Sequence, residues 1–166
     1  MPAPERMSPR PSRKRAPRSV LSAARREWTI ASDVQAITAI VETVQGMCST
    51  AGFSASQCRL NIPVAVTEAL SNAILRGNAG VAARRVHIAV ELDAARLIVD
   101  VTDEGVGFDL DAIRQGPDES DWLDREDGRG LFLMRSLMDR IESRRWESAV
   151  AHETRGHTLR LILHRA

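Results

Sequence analysis

The chain has 166 residues and a formal net charge of +1. That is enough length for one domain with its own core, and too little net charge for a global field that selects nucleic acid or membrane. No apolar run reaches the length of a transmembrane helix and the N-terminus lacks a signal-peptide apolar stretch, so a cytoplasmic protein with no membrane partner is expected.

The charge is unevenly spread. Residues 1 to 26 carry eight Arg/Lys against one Glu, about +7, which leaves the remainder at about −6. Residues 1 to 24 are rich in Pro, Ser and Arg and hold too little apolar surface to offset their ordering entropy. They read as a disordered basic tail ahead of a domain over 25–166. A basic tail can touch nucleic acid or an acidic partner, but a solvated extension is commoner, and direct nucleic-acid binding is not expected.

In chain order, RREWTIA (25–31) alternates as a first strand. Ser32 then reads as an N-cap, with Gln35 completing a capping box. Val34, Ile37, Ile40, Val41, Val44, Met47 and Cys48 follow at helical spacing, and Gly52 ends the helix. A second helical region begins near Ser54. Pro63 interrupts it, or Asn61 caps a fresh start just before it. Either way a helix runs from Val64 to Arg76 and stops at Gly77, with Ile62, Val66, Ala69, Leu70, Ala73 and Ile74 on its core face. VHIAVEL (86–92) and RLIVDVT (96–102) form a hairpin across Asp93-Ala94-Ala95. Residues 108–127 are polar and acidic and read as a long loop. GLFLMRSLMDRI is a third helix with Leu131, Met134, Leu137, Met138 and Ile141 on one side. Segments near 142–150 and 157–164 complete a final hairpin. This order predicts an α+β fold: a two-layer sandwich with helices on one face of a mostly antiparallel, mixed sheet.

Three motifs carry chemistry. In VTEALSNAILRGN (66–78), Glu68 and Asn72 lie four apart, opposite the core face. Val64 and Leu75 share that side, so it is not simply a solvated face. DEGVG (103–107) leaves the strand 96–102. Asp103 offers a carboxylate acceptor that an amino group such as adenine N6 would satisfy, and Gly105 and Gly107 permit backbone approaches that a Cβ would block. GRGL (128–131) opens a helix, where free N–H groups and the dipole favour phosphate; Arg129 adds a charged donor. Taken singly, each is equally compatible with a wet helix face, an acidic turn and a hinge.

Taken in order, the three motifs resemble the N, G1 and G2 boxes of the GHKL ATPase superfamily. The closer resemblance is to the small anti-sigma-factor serine/threonine kinases of bacterial partner-switching systems. VTEALSNAILRGN, DVTDEGVGFDL, GRGLFLMRSLMDRI and the closing GHTLRL carry it, over roughly residues 26–164. GFDL, GLFLM and the lack of a preceding phosphoacceptor helix separate the chain from sensor histidine kinases. The resemblance implies a Bergerat-type ATP-binding fold using ATP and Mg²⁺. Asn72 would bind Mg²⁺, and Glu68 would orient or deprotonate the attacking hydroxyl. Asp103 would hold the adenine amino group, with Gly105 and Gly107 making room for the base. Thr158 would support that site through Asp103 or a water. Gly128, Arg129 and Gly130, with Leu131 closing the box, would receive phosphates, and residues 108–127 would form a lid.

The implied function is phosphorylation of a STAS-type anti-anti-sigma antagonist and mutually exclusive sequestration of a sigma factor, through a surface around Gln35–Gln45. Family members are often homodimers, which no feature here requires. The alternatives are an ATP-binding partner-switch module without phosphotransfer, and a tail-driven nucleic-acid binder with a vestigial site.

The chain departs from the pattern in places. Arg76 stands where the family often has His; it would contact phosphate or lid, or cap the helix. His157 replaces the usual first Thr of the closing motif, and Pro63 is unusual within the helix leading to Glu68. The eight acids between Asp109 and Asp127 read as a solvated loop rather than a metal cluster. His87, His152, His157 and His164 have no ligand spacing. Cys48 and Cys58 match no redox or ligand spacing and read as reduced thiols near the core. Trp28, Trp122 and Trp146 read as packing residues.

Overall fold

A computed structural model describes residues 23–107, 126–147 and 155–166. The basic tail up to residue 22, the lid segment over 108–125 and Trp122 lie outside them. The order of elements is β1 (Ala24–Ala31), α1 (Ile37–Thr50), α2 (Ile62–Asn72), β2 (Arg85–Leu92), β3 (Arg96–Asp103), α3 (Glu126–Leu137), β4 (Arg140–Glu147) and β5 (Arg155–His164). The five strands form one sheet in the order β1-β2-β3-β5-β4.

The two-layer α+β expectation holds, with one difference: every pairing is antiparallel. The chain crosses over between β3 and β4, but β5 inserts between them, so these two codirectional strands never pair.

Strand alternation makes the layers. Val86, Ile88, Val90 and Leu92 of β2, Leu97, Val99 and Val101 of β3, and Leu159, Leu161 and Leu163 of β5 are buried against the helices. The opposite face is polar: Arg160 makes a two-pronged contact with Asp100 at 2.7 and 2.6 Å, which raises the pKa of Arg160 further. Helical spacing supplies the other layer, with Ile40, Val44 and Cys48 of α1 and Met134 and Met138 from the α3 region. All six residues expected on the core face of the second helix are 4% exposed or less. Trp28 packs against the same core. Burial pushes the Cys48 thiol up to about 12, so it behaves as an apolar core group.

Local geometry corrects several boundaries. Asp33 caps the 3₁₀ turn Val34–Ala36 that leads into α1, accepting from Gln35 N–H at 2.9 Å. Ser32 is buried instead and donates to the Arg84 carbonyl at 3.1 Å. Gly52 does end α1, with φ +83. The helix through Pro63 is neither broken nor restarted. A π-helical turn, Gln57–Asn61, precedes α2, and a second, Ala73–Gly77, follows it. Widening the turn lets the helical run pass a residue that has no N–H and whose ring crowds the preceding turn. In that five-residue register the Cys58 carbonyl faces Pro63, and it accepts from Gln45 Nε2 at 2.8 Å instead. The register of Glu68 is therefore kept.

The third helix starts earlier and ends earlier than expected. It runs from Glu126 and stops at Leu137, whose carbonyl accepts from Asn61 Nδ2 at 2.7 Å. Ile141 therefore lies on β4, although it still packs on the core. The last hairpin runs from Arg140↔Ile162 to Glu147↔Arg155.

Asn78 ties these pieces together. It is fully buried; its Nδ2 donates to Ser32 Oγ at 2.8 Å and to the Arg85 carbonyl at 2.9 Å, and its Oδ1 accepts from Glu104 N–H at 2.8 Å. Replacing it with Ala strands one buried and two part-buried partners on three segments. We expect Asn78→Ala to cost about 2–4 kcal/mol, measured by urea unfolding, whereas a loss below about 0.5 kcal/mol would show that water replaces the amide.

Candidate nucleotide site

A pocket of about 310 Å³ opens between the end of the second helical run, the ends of β3 and β5, and α3. That is near the lower end of small-ligand cavities. Its walls are largely apolar, from Ala73, Val101, Val106, Leu131 and Leu159; the polar groups are Asn72, Arg76, Asp103 and His157.

The first two motifs meet through backbone. Asp103 lies at the end of β3 on the helix-facing side and is 4% exposed. Its carboxyl group rests against Gly77 so closely that a Cβ there would overlap it, and a Cβ on Gly105 would overlap the Gly77 carbonyl. Asp103 Oδ1 accepts from Gly105 N–H at 2.8 Å. The sequence reading gave Gly105 the role of admitting a ligand; its first task is to admit Gly77. Gly107 is the conformational glycine, with φ +70, and a Cβ on it would fall 2.5 Å from His157 Cδ2.

The first and third motifs meet at Gly130. A Cβ there would stand 2.5 Å from Glu68 Oε2 and 3.7 Å from Asn72 Nδ2. Glu68 and Asn72 are both half-buried, on the side of the helix opposite its core face, as expected. Gly130 and Arg129 lie inside the first turns of α3 rather than ahead of it, a correction to the GRGL reading; Gly128 lies there too. Arg129 is exposed, as is Arg76 at the pocket rim, and Leu131 is 2% exposed as a pocket wall rather than a phosphate contact.

Thr158 is not brought into the site. It pairs with Thr102, and its hydroxyl bonds Thr102 Oγ1 at 2.8 Å on the outer face of the sheet. Asp103 pairs instead with His157, which lines the pocket. Its Nδ1 is 3.5 Å from Asp103 Oδ2 and its Nε2 is 2.7 Å from Ser143 Oγ. By sequence, His157 has no ligand spacing and stands in place of the first Thr of the closing motif, and Gly77 only ends a helix. Both belong to the site. The cross-strand register with β3 reveals the histidine, one residue before Thr158.

Among the described residues no group of three or more His, Cys, Asp or Glu could hold a metal alone, and no helix is long and apolar enough to cross a membrane.

Gly105→Ala is expected to lower stability by about 1–3 kcal/mol through this overlap. Gly46, mid-helix in α1, has open space around a Cβ, so Gly46→Ala is expected to raise stability by about 0.4–1 kcal/mol. Thermal melts of the two variants check the contrast; equal shifts would refute it.

Comparison with known proteins agrees with this fold. Residues 30–163 match the family model for the histidine kinase-like ATPase domain. The serine-protein kinase RsbW of Halalkalibacterium halodurans is 31% identical over 121 residues, 70% of this chain and 73% of that protein. The anti-sigma F factor of Bacillus thuringiensis is 34% identical over 101 residues, 60% of this chain; the chain spans 65% of that relative's length. A Mycobacterium tuberculosis structure of RsbU and RsbW domains superposes with a TM-score of 0.55 at 18% identity, over 86% of this chain and 33% of that one, and so shares the fold. The chain belongs to the histidine kinase-like ATPase domain family.

Proposed function

We propose that the chain is an ATP-dependent protein serine/threonine kinase that acts as an anti-sigma regulatory factor. It phosphorylates a STAS-type anti-anti-sigma antagonist and sequesters a sigma factor. The observation that carries this reading is the convergence of Glu68 and Asn72 beneath Gly130, beside a pocket that ends at Asp103. A carboxylate and an amide one turn apart can serve a hydroxyl nucleophile and a phosphate-bound cation together. Kinship with a relative named as a serine-protein kinase and one named as an anti-sigma factor supports both halves.

The residues suit magnesium. Asn72 offers one hard oxygen donor, too few to cage the ion, which matches a cation that takes its other ligands from phosphate and water. When bound, the ion would offset triphosphate charge. The chain's own groups do the rest. Asp103 receives the 6-amino group of the base against the apolar walls. Arg76 and Arg129 meet phosphate at the rim. Glu68 orients the attacking hydroxyl and takes its proton.

The test is transfer of label from γ-³²P ATP to a panel of STAS-domain proteins. Wild type is expected to label one of them on Ser or Thr. Glu68→Gln is expected to slow transfer about 10²–10⁴-fold while ATP affinity stays within about threefold. Tight Mg·ATP binding with no transfer to any panel member would favour a binding module that uses ATP only to set its conformation. Transfer by Glu68→Gln at the wild-type rate would remove Glu68 from the chemistry.

A further inference from the structure

His157 is 1% exposed at the back of the pocket, and its ring is held on several sides. Gly107 packs along its Cδ2 edge. Ser143 Oγ is 2.7 Å from Nε2, and Asp103 Oδ2 is 3.5 Å from Nδ1. A hydroxyl can donate or accept, so Ser143 holds the ring at Nε2 whichever nitrogen carries the proton, and the ring so held presents Nδ1 to Asp103.

Asp103 is consequently gripped from three directions. Gly105 N–H donates to Oδ1 at 2.8 Å, the Gly77 backbone presses on the carboxyl group, and the imidazole Nδ1 faces Oδ2. At 3.5 Å this last contact orients Oδ2 without saturating it, which leaves acceptor capacity for a donor in the pocket. His157 lines the pocket beside Asp103 and is the more buried of the two, 1% against 4% exposed, which suits it to hold the carboxylate.

We infer that His157 is a positioning residue for base selection: held by Ser143, it keeps Asp103 Oδ2 aimed as an acceptor and so sets the preference for a 6-aminopurine. This deepens the nucleotide reading above and rests on it. The role falls to a histidine one residue before the threonine that the sequence nominated.

The experiment is calorimetric titration of the full chain with Mg·ATP and with the magnesium complex of purine riboside triphosphate, which lacks only the 6-amino group. Wild type is expected to prefer ATP by about 10–100-fold, the worth of a hydrogen bond to a charged group. His157→Ala is expected to weaken ATP about tenfold, leave the analogue within about twofold and collapse the preference. His157→Asn, whose Nδ2 sits where Nδ1 does, should restore most of it. Should His157→Ala fail to fold by circular dichroism, Ser143→Ala carries the test, because it keeps the ring and removes the group that holds it at Nε2; its ATP preference should fall about threefold. Equal weakening of both triphosphates, or an undiminished preference in the variants, would overturn the inference and leave the nucleotide reading intact. Wild type that binds both equally would overturn it by removing Asp103 from amino-group recognition. Wild type that binds neither would overturn the nucleotide reading itself.

Discussion

How closely the C-terminal end of the α2 helical run approaches the loop leaving β3 decides whether there is a site. Gly77 and Gly105 meet backbone to backbone, with the Asp103 carboxyl group pressed between them. Close-packed interiors do not stretch to accommodate an extra methyl group at such a point. The neighbouring residue enforces what glycine permits. Asn78, fully buried and bonded to Ser32, Arg85 and Glu104, holds the helix end, the start of β2 and the loop after β3 at one separation. Its amide is satisfied on both ends, so it contributes stability rather than an uncompensated polar group.

From that contact the other groups follow by parity. In the sheet, alternate residues face alternate sides, so Asp103 and its partner His157 face the helices while Thr102 and Thr158 face out. On the helix, the six apolar positions turn inward and leave Glu68 and Asn72 beneath α3. The π-helical turns on either side absorb the proline and shape the helix end without disturbing that alternation. The result is an apolar pocket with a carboxylate at its inner end and an acid–amide pair at its mouth.

Much of this was legible. The core face of the second helix and the β2–β3 hairpin announce themselves through periods of 3.6 and 2, and these survive in the fold. The three motifs appear in the right order because each is local. What was not legible is tertiary. Nothing in the sequence shows that Gln45 takes the carbonyl left over at Pro63, so a break was expected where the helix continues. Ser32 and Asp33 are both good caps by type; burial beside Asn78 decides which one is free to cap. Glycines at 128 and 130 suggested an opening before the helix, but Gly130 is small because it lies against Glu68. The closing motif pointed to Thr158, and only the register with β3 shows that His157 holds the inward position.

The central claim is that Asp103, clamped by Gly77 and Gly105, is the inner anchor of a magnesium-dependent nucleotide site completed by Asn72. Calorimetric titration of Mg·ATP into wild type, Asp103→Ala and Asn72→Ala tests it most directly. The account predicts saturable one-site binding by wild type that disappears with EDTA, and at least about tenfold weakening in each folded variant. Wild-type affinity retained by a folded Asp103→Ala variant would contradict it.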